Sequence, residues 1–169
     1  MKDLMILLLA SVSFISCESI SGNGNVSDEK RPLSNINTIK TSGSIDVEIN
    51  SGNTYSLTVQ DDENLIPYVV TEVNGGELNI HYKDGYSIMN DHAKVMVTVP
   101  TLDRIITSGS GDVTTNGVIQ SNNEIDMKTS GSGDIKAAVN APSIKVTGSG
   151  SGDIGLSGMT KNFDCRISG

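Results

Sequence analysis

Three aspartates stand at the same place in one recurring phrase. Ser108-Gly109-Ser110-Gly111-Asp112-Val113 returns as Ser130-Gly131-Ser132-Gly133-Asp134-Ile135 and again as Ser149-Gly150-Ser151-Gly152-Asp153-Ile154. A degenerate copy, Ser42-Gly43-Ser44-Ile45-Asp46-Val47, lies upstream. Asp112, Asp134 and Asp153 are separated by 22 and 19 residues, and Asp46 lies 66 residues before Asp112, three times 22. Copies stacked at strand spacing would put neighbouring carboxylates about 5 Å apart. They would then repel by about 1 kcal/mol in water and about 3 kcal/mol at an effective dielectric of 20. Three arrangements relieve that repulsion: solvent exposure, hydrogen bonds from turn N–H groups, or a bound cation such as Ca²⁺. Asp112, Asp134 and Asp153 are therefore the candidate ligand or cation ladder. Calcium is the one cofactor the residues suggest, and no dedicated metal centre is expected.

Catalytic chemistry finds little support. Lys128, Lys136, Lys145 and Arg166 alternate with apolar positions, which puts them on an outer strand face rather than in a cluster with carboxylates. His81 and His92 stand alone, without metal-ligand spacing. Ser is plentiful, yet no Gly-x-Ser-x-Gly elbow sits at a strand-to-helix junction. Tyr82 and Tyr86 flank Asp84-Gly85 and could form a small contact site, with packing against the core as the alternative. The chain reads as a non-enzyme, a polysaccharide-active enzyme being the remote alternative.

The elements that must hold these residues are strands. Period-two alternation runs through Ile45, Val47, Ile49; Tyr55, Leu57, Val59; Leu78, Ile80, Tyr82; Val95, Val97, Val99; Ile125, Met127; Ile144, Val146; and Phe163, Cys165, Ile167. No sustained 3.6-residue pattern follows the amino-terminal apolar run. A strand that recurs every 19–22 residues behind a Gly-rich corner predicts coils stacked as a parallel β-helix. Val113, Ile135 and Ile154 would form one inward column, and Met127, Val146 and Cys165 the opposite one, with Cys165 an inert core thiol. Asn74-Gly75-Gly76-Glu77 predicts a hairpin turn, residues 84–92 a surface loop, and the less regular amino-terminal half a cap over the first coil.

The first residues read as a targeting segment. Met1, Lys2 and Asp3 precede the apolar run Leu4 to Ile15, about 12 residues where a membrane span needs roughly 20. The run ends Phe14-Ile15-Ser16-Cys17, which resembles the bacterial lipobox. That resemblance implies cleavage before Cys17 and a lipid on its sulfur. Residues 1–16 are then a lipoprotein signal peptide, 17–33 a linker, and 34–169 the folded domain. Two or three acyl chains, at about 0.8 kcal/mol per buried methylene, anchor stably. With Cys17 lipidated, Cys165 has no disulfide partner. The 169 residues carry 12 Lys+Arg against 20 Asp+Glu, a net charge of −8, which argues against a nucleic-acid partner.

Three blocks carry a family resemblance. They are Thr38-Ile39-Lys40-Thr41-Ser42-Gly43-Ser44-Ile45-Asp46-Val47, Asp62-Glu63-Asn64-Leu65-Ile66-Pro67-Tyr68, and Val97-Thr98-Val99-Pro100-Thr101-Leu102 leading into the Ser/Gly/Asp copies. Over roughly residues 34–169 the chain resembles the auto-transporter adhesin, head GIN domain family of Bacteroidetes-type lipoproteins. The resemblance implies a right-handed, pectin-lyase-like parallel β-helix with no established catalytic residues and a role in adhesion. Such domains run through further copies, so this one is expected to be incomplete at its C-terminus. The expected protein is an envelope or outer-membrane lipoprotein, periplasmic or surface-facing, that is an adhesin or binding scaffold. Its expected partners are the membrane through the lipid, a glycan or protein ligand, and a second copy at the open C-terminal end. A purely structural envelope lipoprotein is the alternative.

Overall fold

The structure is a computed structural model that describes residues 18–169. The expectations for the signal segment and for Cys17 lie outside the described residues. The rest is all-β apart from one 3₁₀ turn, Ile66–Tyr68. The strands are β1 Glu18–Ser21, β2 Val26–Arg31, β3 Thr38–Gly43, β4 Asp46–Ser51, β5 Ser56–Asp62, β6 Val69–Asn74, β7 Glu77–Tyr82 and β8 Tyr86–Met89. They continue with β9 Lys94–Val99, β10 Arg104–Gly109, β11 Val113–Asn116, β12 Ile119–Gln120, β13 Glu124–Gly131, β14 Ile135–Gly150 and β15 Ile154–Ser168. β1 and β8 form a separate parallel pair, and the other thirteen strands share one sheet.

The expected right-handed parallel β-helix is corrected by the order and sense of that sheet. The strands follow one path, β2-β5-β9-β4-β11-β14-β13-β10-β3-β7-β6, with β12 and β15 also on β14. The path is mixed: β2–β5, β5–β9 and β6–β7 run antiparallel, while the ladders between β9 and β7 are parallel. The chain therefore forms a curled, mixed, open half-barrel and not a uniform solenoid. Only the all-β part of the expectation stands. The interval of 66 residues has the same origin. β4 pairs directly with β11, so Asp46 and Asp112 are neighbours, and the residues between them form β5 to β9 instead of two more stacked copies.

The curl is written into β14. Its inward residues are Ile135, Ala137, Val139 and Ala141, and then Ile144 and Val146, so the alternation slips by one across Pro142-Ser143. The first stretch pairs with β11 and β12, the second with β13. One strand thus turns the sheet from one limb into the other. Both limbs send aliphatic side chains inward, and the fully buried apolar set is Ile, Leu and Val with Met127, with Tyr55 and Tyr82 only at its margin. Side chains this narrow let the limbs close on one another.

Corners fit because glycine is there. Gly109, Gly131 and Gly150 have φ of +126°, +134° and +122°, in the region that favours glycine. A Cβ at Gly131 would run into the carbonyl oxygen of Gly109, and one at Gly150 into that of Gly131. The hairpin forms as expected: Gly75 and Gly76 take φ of +58° and +85° between Asn74 and Glu77, the two-residue turn that suits the strand twist. Two other expectations change. Residues 84–92 contain β8, and the stretch expected as a linker contains β1 and β2, held by β8 and β5.

Candidate functional site

The parallel ladders bring the predicted aspartates into one file. Asp112 N–H donates to Asp46 Oδ1 at 2.8 Å, Asp134 N–H to Asp112 Oδ1 at 2.8 Å, and Asp153 N–H to Asp134 Oδ1 at 2.9 Å. Each step has a return bond, because Val47, Val113 and Ile135 donate to the carbonyls of Asp112, Asp134 and Asp153 at 2.8, 2.8 and 2.9 Å. The aspartates are thus reciprocal turn staples. One carboxylate oxygen of each of Asp46, Asp112 and Asp134 is taken by backbone. The Asp153 N–H and the Lys136 ammonium, 3.2 Å from Asp134 Oδ2, hold the Asp134 carboxyl below its ordinary range.

The outer faces carry charge in columns. Thr38, Arg104, Asp126, Lys145 and Asp164 follow one another across one limb, with Arg104 Nη2 3.0 Å and Lys128 Nζ 3.5 Å from Asp126 Oδ2. Arg166 pairs with Asp164 at 2.9 Å. Of the basic residues expected on the outer face, Lys128 and Arg166 pair with acids two residues away on their own strands, and Lys136 pairs with Asp134 just before β14.

A second cluster has no spacing signal in the sequence. Asp61 and Asp62 are fully buried. Asp61 accepts from the Asp62 and His92 N–H groups at 2.8 and 2.9 Å and from the Tyr82 hydroxyl at 2.9 Å. Tyr82 also reaches Asp91 at 3.0 Å, and His92 Nδ1 lies 3.3 Å from Asp62 Oδ1. Burial, then the hydrogen bond to Asp61 and the charges of Asp61 and Asp91, push the Tyr82 pKa far up and keep it a donor. Tyr82 is therefore built into the core margin, and Tyr86 instead meets Tyr68 edge-on at 4.8 Å. Nothing in positions 61, 82 and 91 announces this network, because β5 and β7 lie near opposite ends of the strand path and only the curl of the sheet brings them, with the residues before β9, together. Among the described residues no His/Cys/Asp/Glu group has the arrangement of a metal site.

Cys165 departs from expectation. It follows Val146 in the inward column, yet it is exposed, because no described strand lies beyond β15. With Val146, Ile154, Leu156, Phe163 and Ile167 it lines a cavity of about 390 Å³. Phe163 and Ile167 are 58% and 59% exposed, an apolar surface that a covered strand would bury.

Residues 35–169 match the family described as "Putative auto-transporter adhesin, head GIN domain". A crystal structure described as a "Putative lipid binding protein" from Parabacteroides distasonis has a TM-score of 0.80 and 28% identity, covering 89% of this chain and 65% of that one. This chain thus spans 65% of that relative's length. Proteins described as putative adhesins from Parabacteroides distasonis and Bacteroides fragilis share the fold. Their TM-scores are 0.61 and 0.64, at 22% and 14% identity, over 89% of this chain and 73% and 96% of theirs. No curated protein matches.

Proposed function

Because the chain belongs to the auto-transporter adhesin, head GIN domain family, we propose that it is a non-catalytic binding scaffold of the cell envelope, carried on a lipid at Cys17. The observation that carries this reading is the pair of outward sheet faces, on which Thr, Asn, Lys, Arg and Asp recur in register from strand to strand. Such faces suit an extended glycan or protein surface that offers repeated contacts. The aspartate file serves this scaffold as its corner staple, and calcium remains the occupant to test against it. The lipid is tested by labelling cells with a palmitate analogue: the intact chain should take up label and Cys17→Ser should not. The scaffold is tested by envelope pull-down with the full chain, where Lys128→Glu with Lys145→Glu should lose the captured partner. Capture unaffected by reversing both charges would sink the proposed face.

A second reading has its own observation. The apolar cavity beside β15 would take an acyl chain, and the relative described as lipid-binding is the one with 28% identity. Displacement of a fluorescent fatty acid, lost in Phe163→Glu, would support it, and no binding by the full chain would remove it. The edge of β15 also differs from that of β2. Asp28, Glu29, Lys30 and Arg31 guard the β2 edge with charge, whereas β15 exposes Met159, Phe163 and Ile167. We extend the proposal to self-association through β15, which light scattering across concentrations tests; a monomer throughout would refute it.

A further inference from the structure

Glu18, the first described residue, is already fastened to the fold. It pairs opposite Tyr86, and its N–H donates to the Gly85 carbonyl at 3.2 Å. The far end of β1 is held as well. Gly22 N–H donates to the Met89 carbonyl at 2.9 Å, Asn64 Nδ2 to the Ser21 carbonyl at 2.9 Å, and Asn90 Nδ2 to Ser21 Oγ at 3.0 Å. Gly24 N–H then donates to the buried Asp62 at 3.1 Å. A free linker over residues 17–33 would have a reach of roughly 20 Å. Instead, the residue that follows Cys17 in the chain is already in a paired strand, and one Cα step along the chain is about 3.8 Å.

The surface at that point has a distinct chemistry. Tyr86 meets Tyr68 edge-on at 4.8 Å, and the Lys83 ammonium lies 5.5 Å from the centre of the Tyr68 ring. Tyrosine and lysine are side chains suited to the membrane–water boundary, with an apolar body and a polar tip. Glu18 and Asp84 are exposed beside them, so attraction to anionic lipid is not what would hold the cluster there. The adjoining anchor would.

We propose that the ledge formed by Tyr68, Lys83 and Tyr86 is a membrane-contact surface whose occupant is the phospholipid headgroup layer. The proposal rests on lipidation at Cys17. The headgroup layer is about 6 Å deep on each side of the bilayer, so an anchor one residue from β1 brings the ledge into it. The domain then stands in a fixed orientation instead of swinging on a tether. β6, beside Tyr68, and β15 are separated by β7, β3, β10, β13 and β14. Six strand spacings of about 4.8 Å put β15 up to roughly 29 Å from β6 along the sheet, at the end away from the membrane in that orientation.

The chain contains no Trp, so single reporters are clean. The lipidated full chain carrying Tyr86→Trp, Lys83→Trp or Phe163→Trp is bound to phosphatidylcholine vesicles containing a headgroup spin-labelled lipid. The first two reporters should be quenched several-fold more than Phe163→Trp, and the second guards against misfolding of the first. Vesicle-bound protein whose three reporters are quenched equally, or most at Phe163→Trp, overturns the orientation and leaves the anchor intact. Failure of the chain to bind vesicles overturns the anchor and this proposal together.

Discussion

Gly43 and Gly131 lie in one column and differ sharply in what a Cβ would meet, which makes them a useful pair for testing how the corners stack. Gly43, Gly109 and Gly131 are in register on β3, β10 and β13. Both Gly43 and Gly131 have positive φ, +89° and +134°. A Cβ at Gly43 meets nothing within 4 Å, whereas one at Gly131 collides with the Gly109 carbonyl oxygen. Gly43→Ala should therefore cost only the strain of a Cβ at positive φ, about 1–2 kcal/mol. Gly131→Ala adds an overpacking cost of about 1–3 kcal/mol. It also loosens two bonds to the Gly109 carbonyl, from Ser132 N–H at 2.8 Å and Gly133 N–H at 3.1 Å, worth about 1 kcal/mol each. At about 2–4 °C per kcal/mol for a domain of this size, circular dichroism melts should drop by roughly 2–8 °C for Gly43→Ala and roughly 8–28 °C for Gly131→Ala. Equal drops would mean that backbone contact between adjacent corners is not what glycine serves here.

Arg31 clasps the two limbs at the cap end, donating to the Val69 carbonyl at 2.6 Å, Thr71 Oγ1 at 2.9 Å and the Ile66 carbonyl at 3.0 Å. Arg31→Ala should destabilise by about 2–4 kcal/mol and raise amide exchange in β2 and β6 first; unchanged exchange there would contradict the clasp. Asp134 contributes stability that is present above its ordinary pKa near 3.8 and is lost as pH falls through its lowered folded value. The stability gap between the parent chain and Asp134→Asn should hold at pH 6–7 and shrink below about pH 4; a gap independent of pH would refute it. Maleimide should label Cys165 in the native protein, as read by peptide mass, and protection to the level of a core thiol would contradict its exposure.

Much of this was legible in alternation and in phrase. Strands over Val95 to Val99 and Ile125 to Met127 follow from period-two residues alone, as does the hairpin at Asn74–Glu77. Pairing sense was not legible, because a half-buried strand alternates identically whether its neighbour runs parallel or antiparallel. The amino-terminal half was therefore legible as a less regular cap, but not as antiparallel ladders of β5 with β2 and β9, and β2 fell in the stretch expected as a linker. The 66-residue interval misled for a related reason, since β5 to β9 happen to fill two repeat lengths without being repeats. Asp61, Tyr82 and Asp91 meet through the curl that brings β5 and β7 together, and Arg31 reaches β6 across the cap, neither of which leaves a local spacing. Cys165 keeps its inward phase on β15, and its exposure depends on what lies over that strand.

The account stands on the recurring phrases lying side by side in register. Ser108 and Ser130 are exposed partners on β10 and β13, at a spacing that suits a disulfide. In a Cys17→Ser, Cys165→Ser background, Ser108→Cys with Ser130→Cys should cross-link almost fully on mild oxidation. Ser108→Cys with Thr129→Cys, one residue out of register and on the opposite face, should not. Cross-linking of the second pair, or of neither, would contradict the stacking of the phrases.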